Sequence, residues 1–339
     1  MEVFVKSVAD YRTIKQATVI SSSLVLDALD YETSALSVRG TSINRSDTGN
    51  WLIVDGQVFR ISNVKPEDSY TSLTLESPLD AFGRPLELEN QPADQTIGGF
   101  IAQSLQSNWA ASDDPVYAMP YLVVSNLDTT AFAPPETDDS GCFSMPAYCR
   151  LMRKSYRAAV RFFDAGSQLS CTVATIPASN RQVSFEDGRS QLASVAYSSS
   201  GLAKITAIQD IDTSEKDANG DSIYQRERTY WYLSEAGEIS QLPPERRAQG
   251  EWGYVYVKGN QNVRAKVVET FAKNKTNHKL EFWSVLDLDV QDDCLFMVYG
   301  ELLRSHISYK RKTSGDNRFY YKSGELATTA SEKLKGVIK

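Results

Sequence analysis

Residues 50–64 read NWLIVDGQVFRISNV. Two apolar runs, WLIV and QVFRI, flank the dipeptide Asp55-Gly56. A two-residue loop of this kind takes positive φ at both central positions, which Asp tolerates and Gly prefers, and its twist matches antiparallel strands. The stretch therefore predicts a β-hairpin. Working outward, ATVISSSLVLDAL (17–29), SALSVRG (34–40) and SYTSLTLESPL (69–79) are further short runs rich in Val, Ile, Leu and Ser/Thr. Turn signals at Thr48-Gly49-Asn50, Asp55-Gly56 and Lys65-Pro66 separate them. Four or five strands in so short a span, with no helical period, predict a small barrel or sandwich over residues 1–90.

The next segment differs in charge. Between Arg84 and Arg150 there is no Lys or Arg, while nine acids fall there, so against a total of −7 the rest of the chain sums to about +2. A one-signed block inside a balanced chain marks a separate module, here residues 91–180. In QTIGGFIAQSLQSNWA (95–110), Ile97, Ile101, Leu105 and Trp109 recur every fourth residue, which predicts a one-faced helix. In SMPAYCRLMRKSYRAA (144–159), Ser144 is placed to cap and Pro146 sits early, ahead of a stripe of Tyr148, Leu151, Met152 and Tyr156. DTTAFAPPETDDSG (128–141) predicts a loop, and AAVRFFDAGSQLSCTVATI (158–176) two strands about a turn at Ala165-Gly166.

From residue 181 the pattern returns to β. LASVAYSSS, GLAKITAIQDID, SIYQRERTYWYLS and EWGYVYVKG predict the strands of a second domain over 181–260, with a Pro-rich loop at QLPPERRAQG. Over 261–339 a helix NVRAKVVETFAKNK, with Val263, Val267 and Phe271 on one side, precedes strands HKLEFWSVLDLDV, CLFMVYGELLRSHISYKRK and RFYYKSG and a terminal arm, SGELATTASEKLK. The expected fold is mainly β with an α+β insertion: two small β-barrel-like domains plus a helix-containing module.

The residues offer little chemistry. An acidic pI near 5.1 opposes general polyanion binding. Cys142, Cys149, Cys171 and Cys294 form no CxxC, and with His278 and His306 make no zinc spacing. Buried free thiols and cytosolic synthesis are expected. Phosphate-loop, dinucleotide and G-x-S-x-G patterns are absent. EKDANGDSIYQR (215–226) places Glu215, Asp217 and Asn219 like calcium-loop ligands, yet Arg226 holds the twelfth position, so Asn219-Gly220 predicts a hairpin turn instead. Glu186-Asp187 reads as a turn, and Asp287 and Asp289 as the wet face of a strand, rather than as glycosidase acids. The chain is therefore expected to be no enzyme, with no catalytic, cofactor-binding or metal residue and no cofactor. No secretory signal and no membrane-length apolar run stand in the sequence, so no membrane anchor is expected. Residues 304–339 carry nine bases against three acids around the turn SGDN. Alternation sends Ile307, Tyr309 and Arg311 to one side of a hairpin and Ser308, Lys310 and Lys312 to the other, favouring a packed or interface ribbon over nucleic-acid contact.

The order of parts, from VDGQVFRISNV through the helical insertion, GLAKITAIQDID and WYLSEAGEIS to ETFAKNKTNHKLEFWSVLDLDVQDD and SYKRKTSGDNRFYYKSGELATT, resembles the baseplate hub or tail-tip proteins of tailed bacteriophages. The resemblance is to those of siphophages and prophages of Gram-positive bacteria. It implies a homotrimer whose six barrels form a pseudo-sixfold ring continuing the hexameric tail tube, with the inserted module projecting. It further implies a virion protein assembled in the host bacterial cytoplasm and located at the tail tip. Its partners would be the tail tube and distal tail protein, a threefold tail fibre or spike, and the tape-measure protein, with DNA only as passing cargo in the channel. A carbohydrate-binding receptor module, with Trp51, Trp109, Trp231 and Trp252 as sugar platforms, is the alternative, and a cell-wall hydrolase a further one.

Overall fold

The structure is a computed structural model that describes residues 1–88, 95–138, 140–177, 179–199, 205–220, 229–233, 239–243, 251–257, 259, 261–272, 276–299, 301–324 and 332–333. The chain forms two compact units. The first comprises Met1–Ala133, Thr137–Pro177 and Arg311–Asp316; the second comprises Pro134–Glu136, Ala178–Lys310 and Asn317–Lys339.

The first unit begins with six strands, β1 (Glu2–Lys6), β2 (Thr13–Ala28), β3 (Ser34–Arg39), β4 (Trp51–Val54), β5 (Gln57–Pro66) and β6 (Tyr70–Glu76). They pair antiparallel in the cyclic order β1-β2-β3-β6-β5-β4 and back to β1. The ring closes, so none of the six keeps a free edge within it. Asp55 (φ 48°) and Gly56 (φ 75°) make the anticipated turn between β4 and β5. Register shifts in β1, β2 and β5 supply the bends that closure needs. Inward side chains, among them Val3, Val5, Val38, Leu52, Ile61 and Leu75, pack as one cluster. Each contributes on the order of 1.5–3 kcal/mol by burial.

The inserted part contains β7 (Pro85–Glu87), α1 (Ile97–Leu105), β8 (Leu122–Asn126), β9 (Cys142–Ser144), α2 (Met145–Tyr156), β10 (Ala158–Asp164) and β11 (Leu169–Thr175). The α1 stripe is as expected: Ile97, Ile101, Leu105 and Trp109 are all buried. Trp109 lies in a π-helical turn, Gln106–Ala110, that continues α1. On α2, Tyr148 and Met152 are buried while Leu151 and Tyr156 are partly so. Ser144 occupies the N-cap position, but its side chain makes no capping bond, so the cap expected of it is not formed.

Thr96 caps α1 by accepting from Gly99 N–H (2.9 Å). A second oxygen comes from outside the helix: Gly98 N–H donates to Asp128 Oδ2 (2.8 Å), while the Thr130 and Thr175 hydroxyls donate to Asp128 Oδ1 (2.7 and 2.5 Å). A negative charge at a helix N-terminus meets its unpaired N–H groups and the positive end of the dipole. The fit requires glycine, because a Cβ at Gly98 would overlap the Asn126 side chain and lie 2.6 Å from Asp128 Cβ.

The second unit contains β12 (Asn180–Ser184), β13 (Ser190–Ser199), β14 (Ile205–Asp212), β15 (Tyr230–Leu233), β16 (Ile239–Ser240), β17 (Glu251–Val257), α3 (Val263–Ala272), β18 (Thr276–Ser284), β19 (Asp293–Val298), β20 (Glu301–Thr313) and β21 (Phe319–Ser323). Strands β12-β19-β20-β21-β18-β13 form one sheet in that order. Phe282 centres its core, in ring contact with Phe185, Phe296 and Tyr321 at 5.2–5.6 Å between centroids. A separate sheet, β16-β15-β14-β17, packs one face on α3 through Val267 and Phe271.

Three expectations change here. Residues 294–312 are two antiparallel strands, not one, and the chain turns at Tyr299 (φ 50°). Asp287 and Asp289 follow β18 in an irregular segment, still alternating with buried Leu288 and Val290. β1, too short to stand out in the sequence, is the strand that closes the barrel.

Asp128→Ala removes three hydrogen bonds from a buried site and is expected to cost about 3 kcal/mol. A lower urea midpoint by tryptophan fluorescence checks this, with Asp128→Asn, which keeps one acceptor oxygen, losing less.

Candidate assembly surfaces

The cationic, tyrosine-rich ribbon is folded into the core. Ser305, His306, Ile307, Tyr309 and Lys310 are all buried, so both faces of β20 are covered there, rather than one as alternation predicted. The Lys310 ammonium pairs with Asp287 and lies 4.9 Å from the centroid of the Phe319 ring. Lys322 Nζ sits 4.4 Å from the Tyr309 centroid, and Arg318 donates to Gln191 (2.8 Å). Tyr320 donates to Glu281 (2.6 Å) and packs on Trp283. Tyr321 OH accepts from Leu288 N–H (3.0 Å) and donates to Leu286 O (2.8 Å); burial above all holds its ionisation well above the ordinary tyrosine range. These cations meet carboxylates and rings of their own chain, which leaves little for a phosphate backbone. The tip of the ribbon, Arg311–Asp316, belongs to the first unit, where Ser314 N–H donates to Ser22 O and Ser314 Oγ accepts from Ser22 N–H, both at 2.9 Å. The arm at 325–331 lies outside the described residues.

Other sequence candidates are dispersed. The Asp217 carboxylate accepts from Asn219 N–H (2.9 Å) in a turn that ends at Gly220 (φ 87°), and residues 221–226 of the calcium-like stretch lie outside the described residues. Glu186-Asp187 form the expected turn, Asp187 accepting from Arg189 N–H (2.9 Å). Among the described residues, no three of His, Cys, Asp and Glu converge as a metal site would require. No helix is long and apolar enough to cross a membrane among them. Cys149, Cys171 and Cys294 are buried, and burial raises all three thiols, Cys171 and Cys294 to about 12.

Of the four tryptophans named as platforms, three are core. Trp51 donates to Tyr121 OH (3.0 Å), Trp109 packs edge-on to Phe82, and Trp231 donates to Asp210 (2.8 Å). Trp252 alone is exposed, and the structure adds companions the sequence reading missed. Tyr230, Tyr232, Tyr254 and Tyr256 share its sheet face, opposite α3. A second exposed surface lies on the outer wall of the barrel, where Phe4 on β1 and Ile14 and Ile20 on β2 face solvent.

Compared by sequence, the chain matches no protein-family model and no curated protein. Compared by structure, it is similar to the prophage tail protein gp18 from Listeria monocytogenes EGD-e, with a TM-score of 0.56 and 11% identity over 95% of this chain and 94% of that one. Weaker likenesses include the tail protein from Neisseria meningitidis MC58 (TM-score 0.48, 8% identity, 97% and 99% covered). The 43 kDa tail protein of prophage MuSo2 from Shewanella oneidensis is another (TM-score 0.46, 11% identity, 96% and 100% covered). At such identities the gp18 likeness is one of fold, and it spans nearly the whole of both chains.

Two outcomes follow from this packing. At pH 8 in native buffer a thiol reagent should label Cys142 alone quickly, the other three reacting after denaturation; fast labelling of more than one contradicts their burial. Tyr321→Phe leaves Leu288 N–H and Leu286 O without their partner, and should lower stability by about 1–3 kcal/mol in denaturant melts.

Proposed function

We propose that the chain is a structural component of a phage or phage-like tail tip: a trimeric baseplate hub that joins the hexameric tail tube to a threefold fibre or spike and lines the DNA channel. The observation that carries this reading is the shared fold with a prophage tail protein along nearly the full chain. In it, residues 1–90 and the β strands of 181–260 and 261–339 supply the tube domains, and 91–180 is the projecting module. Its neighbours are two sister copies, the tail tube and distal tail protein, the tape-measure protein and the fibre, with DNA passing through. It performs no catalysis, and its place is the virion, after assembly in the cytoplasm of a bacterial host, Gram-positive in this reading.

The barrel supports the reading physically. Within the closed ring no strand edge is free, which leaves side chains on its outer wall as a surface for association. Phe4, Ile14 and Ile20 are exposed on neighbouring strands there, with Phe4 opposite Gln16 in the register. Exposed apolar side chains grouped on one wall suit a contact surface of mixed polarity.

Native mass measurement tests it. The expected particle is three times the 37.7 kDa of one chain, and Ile20→Asp should shift it towards one. A wild-type protein that stays at 37.7 kDa at high concentration, alone and with tube protein added, overturns the hub reading.

A further inference from the structure

The outward face of the β16-β15-β14-β17 sheet is built unlike its inner face. Inside, against α3, stand the aliphatics Ile208, Leu233, Val255 and Val257 with one ring, Trp231. Outside, the register brings Tyr230 and Tyr232 of β15 to one side of β14, and Trp252, Tyr254 and Tyr256 of β17 to the other. Exposures of 42% for Tyr230, 45% for Trp252, 56% for Tyr254 and 59% for Tyr256 are high for large rings. The rings are ordered against one another, Trp252 standing edge-on to Tyr230 (5.8 Å between centroids, 85°) and to Tyr232 (6.0 Å, 75°). The β14 positions between them, Ala207 and Gln209, are buried although they point outward, because the rings on both sides cover them.

We propose that this face is a saccharide-binding platform for a neutral glycan. Charge makes the choice among occupants. The paired positions that share this face on β14, β15 and β17 carry no acid or base, in a chain of net charge −7. A nucleic acid or an anionic lipid needs Lys or Arg to meet its phosphates. A sugar ring offers what the face matches: an apolar C–H side for an aromatic ring to stack on, and a rim of hydroxyls for phenol and indole groups to bond. Tyrosine and tryptophan also hold few rotamers, so ordering them on a ligand costs little entropy. The proposal stands apart from the hub reading, since a hub without it is still a hub.

The test uses the full chain on an array of neutral oligosaccharides, hexamers of glucose, of N-acetylglucosamine and of rhamnose, followed by fluorescence titration of the one retained. Wild type should bind at least one. Trp252→Ala and Tyr256→Ala should each bind about ten-fold more weakly, Trp252→Phe should fall between, and Trp283→Phe in the other sheet should match wild type. Circular dichroism confirms folding, and Tyr256→Ala serves if Trp252→Ala does not fold. Failure of folded wild type to bind any of the three, or equal binding by wild type and both alanine variants, overturns the proposal. So does a fall in native mass caused by Trp252→Ala, which would assign the face to a second copy of the chain. The mass of wild type, read separately, reports on the hub.

Discussion

Closure of the barrel by β1 is the constraint on which the first unit depends. Five residues, Glu2–Lys6, pair with β2 on one side and β4 on the other. The strand ends in Lys6, which is buried and donates to Asp164 (2.7 Å) and to Gly166 O (2.5 Å), in the turn between β10 and β11. The same ammonium lies 4.3 Å from the centroid of the Tyr11 ring, and Tyr11 stacks on Tyr121. Tyr121 OH in turn accepts from Trp51 of β4 and donates to Val8 O (2.5 Å), and burial pushes its ionisation up to about 12. An ammonium out of water is stable only with its donors filled, so the strand that closes the barrel also fixes where the inserted sheet meets it.

The acidic insertion meets the converse difficulty, carboxylates with no cation of their own segment. Asp128, Asp114 and Asp138 are satisfied by backbone N–H and hydroxyl groups. Asp128 caps α1, Asp114 accepts from Val116 N–H (2.9 Å), and Asp138 accepts from Ser140 Oγ and from the Ser140 and Cys142 amides. These bonds, the Ser140 hydroxyl first, hold Asp138 below the usual carboxylate range. The last turns of α2 then supply Arg150, Arg153 and Lys154, which pair with Asp80, Asp27 and Asp30. Arg153 does so with two parallel bonds, 2.5 and 2.6 Å, a geometry that fixes orientation as well as distance. The charge asymmetry of the sequence thus becomes a docking device: cations enter where the segment ends and fasten the helix to the barrel.

What the sequence made legible was local. Asp55-Gly56 demanded a turn whatever surrounded it, and the four-residue recurrence from Ile97 to Trp109 demanded one buried helical face. The rest depended on partners distant in sequence. β1 reads as an ordinary start until β2 and β4 are seen on either side of it. The break at Tyr299 sits beside Gly300, a turn signal that is easy to read through when a single glycine stands between two strand-forming runs. Trp51, Trp109 and Trp231 look like platforms by composition, yet each indole is buried and finds a partner that only the tertiary arrangement supplies. The tyrosines that do face solvent were missed because β14 and β17 are parallel strands some forty residues apart, and their shared face exists only once that crossover is made.

That parallel pairing also explains why the aromatic face holds its register. At Gly253, opposite Ile208, a Cβ would lie 2.8 Å from Ile205 Cγ2, so the strand approaches β14 with no side chain between them. Slipping β17 by one residue would send Trp252, Tyr254 and Tyr256 against α3 and bring Val255 and Val257 into water. The cost of exposing the valines and of burying unpaired phenols points the same way, so valines inside and phenols outside on β17 fix the arrangement together. A face specified this strongly yet left open to solvent differs from the barrel wall, where exposed Phe4, Ile14 and Ile20 are interspersed with Glu2, Gln16 and Thr18. The wall suits a broad contact with a like surface, mixed in polarity; the ordered rings suit something smaller, uncharged and rich in hydroxyls.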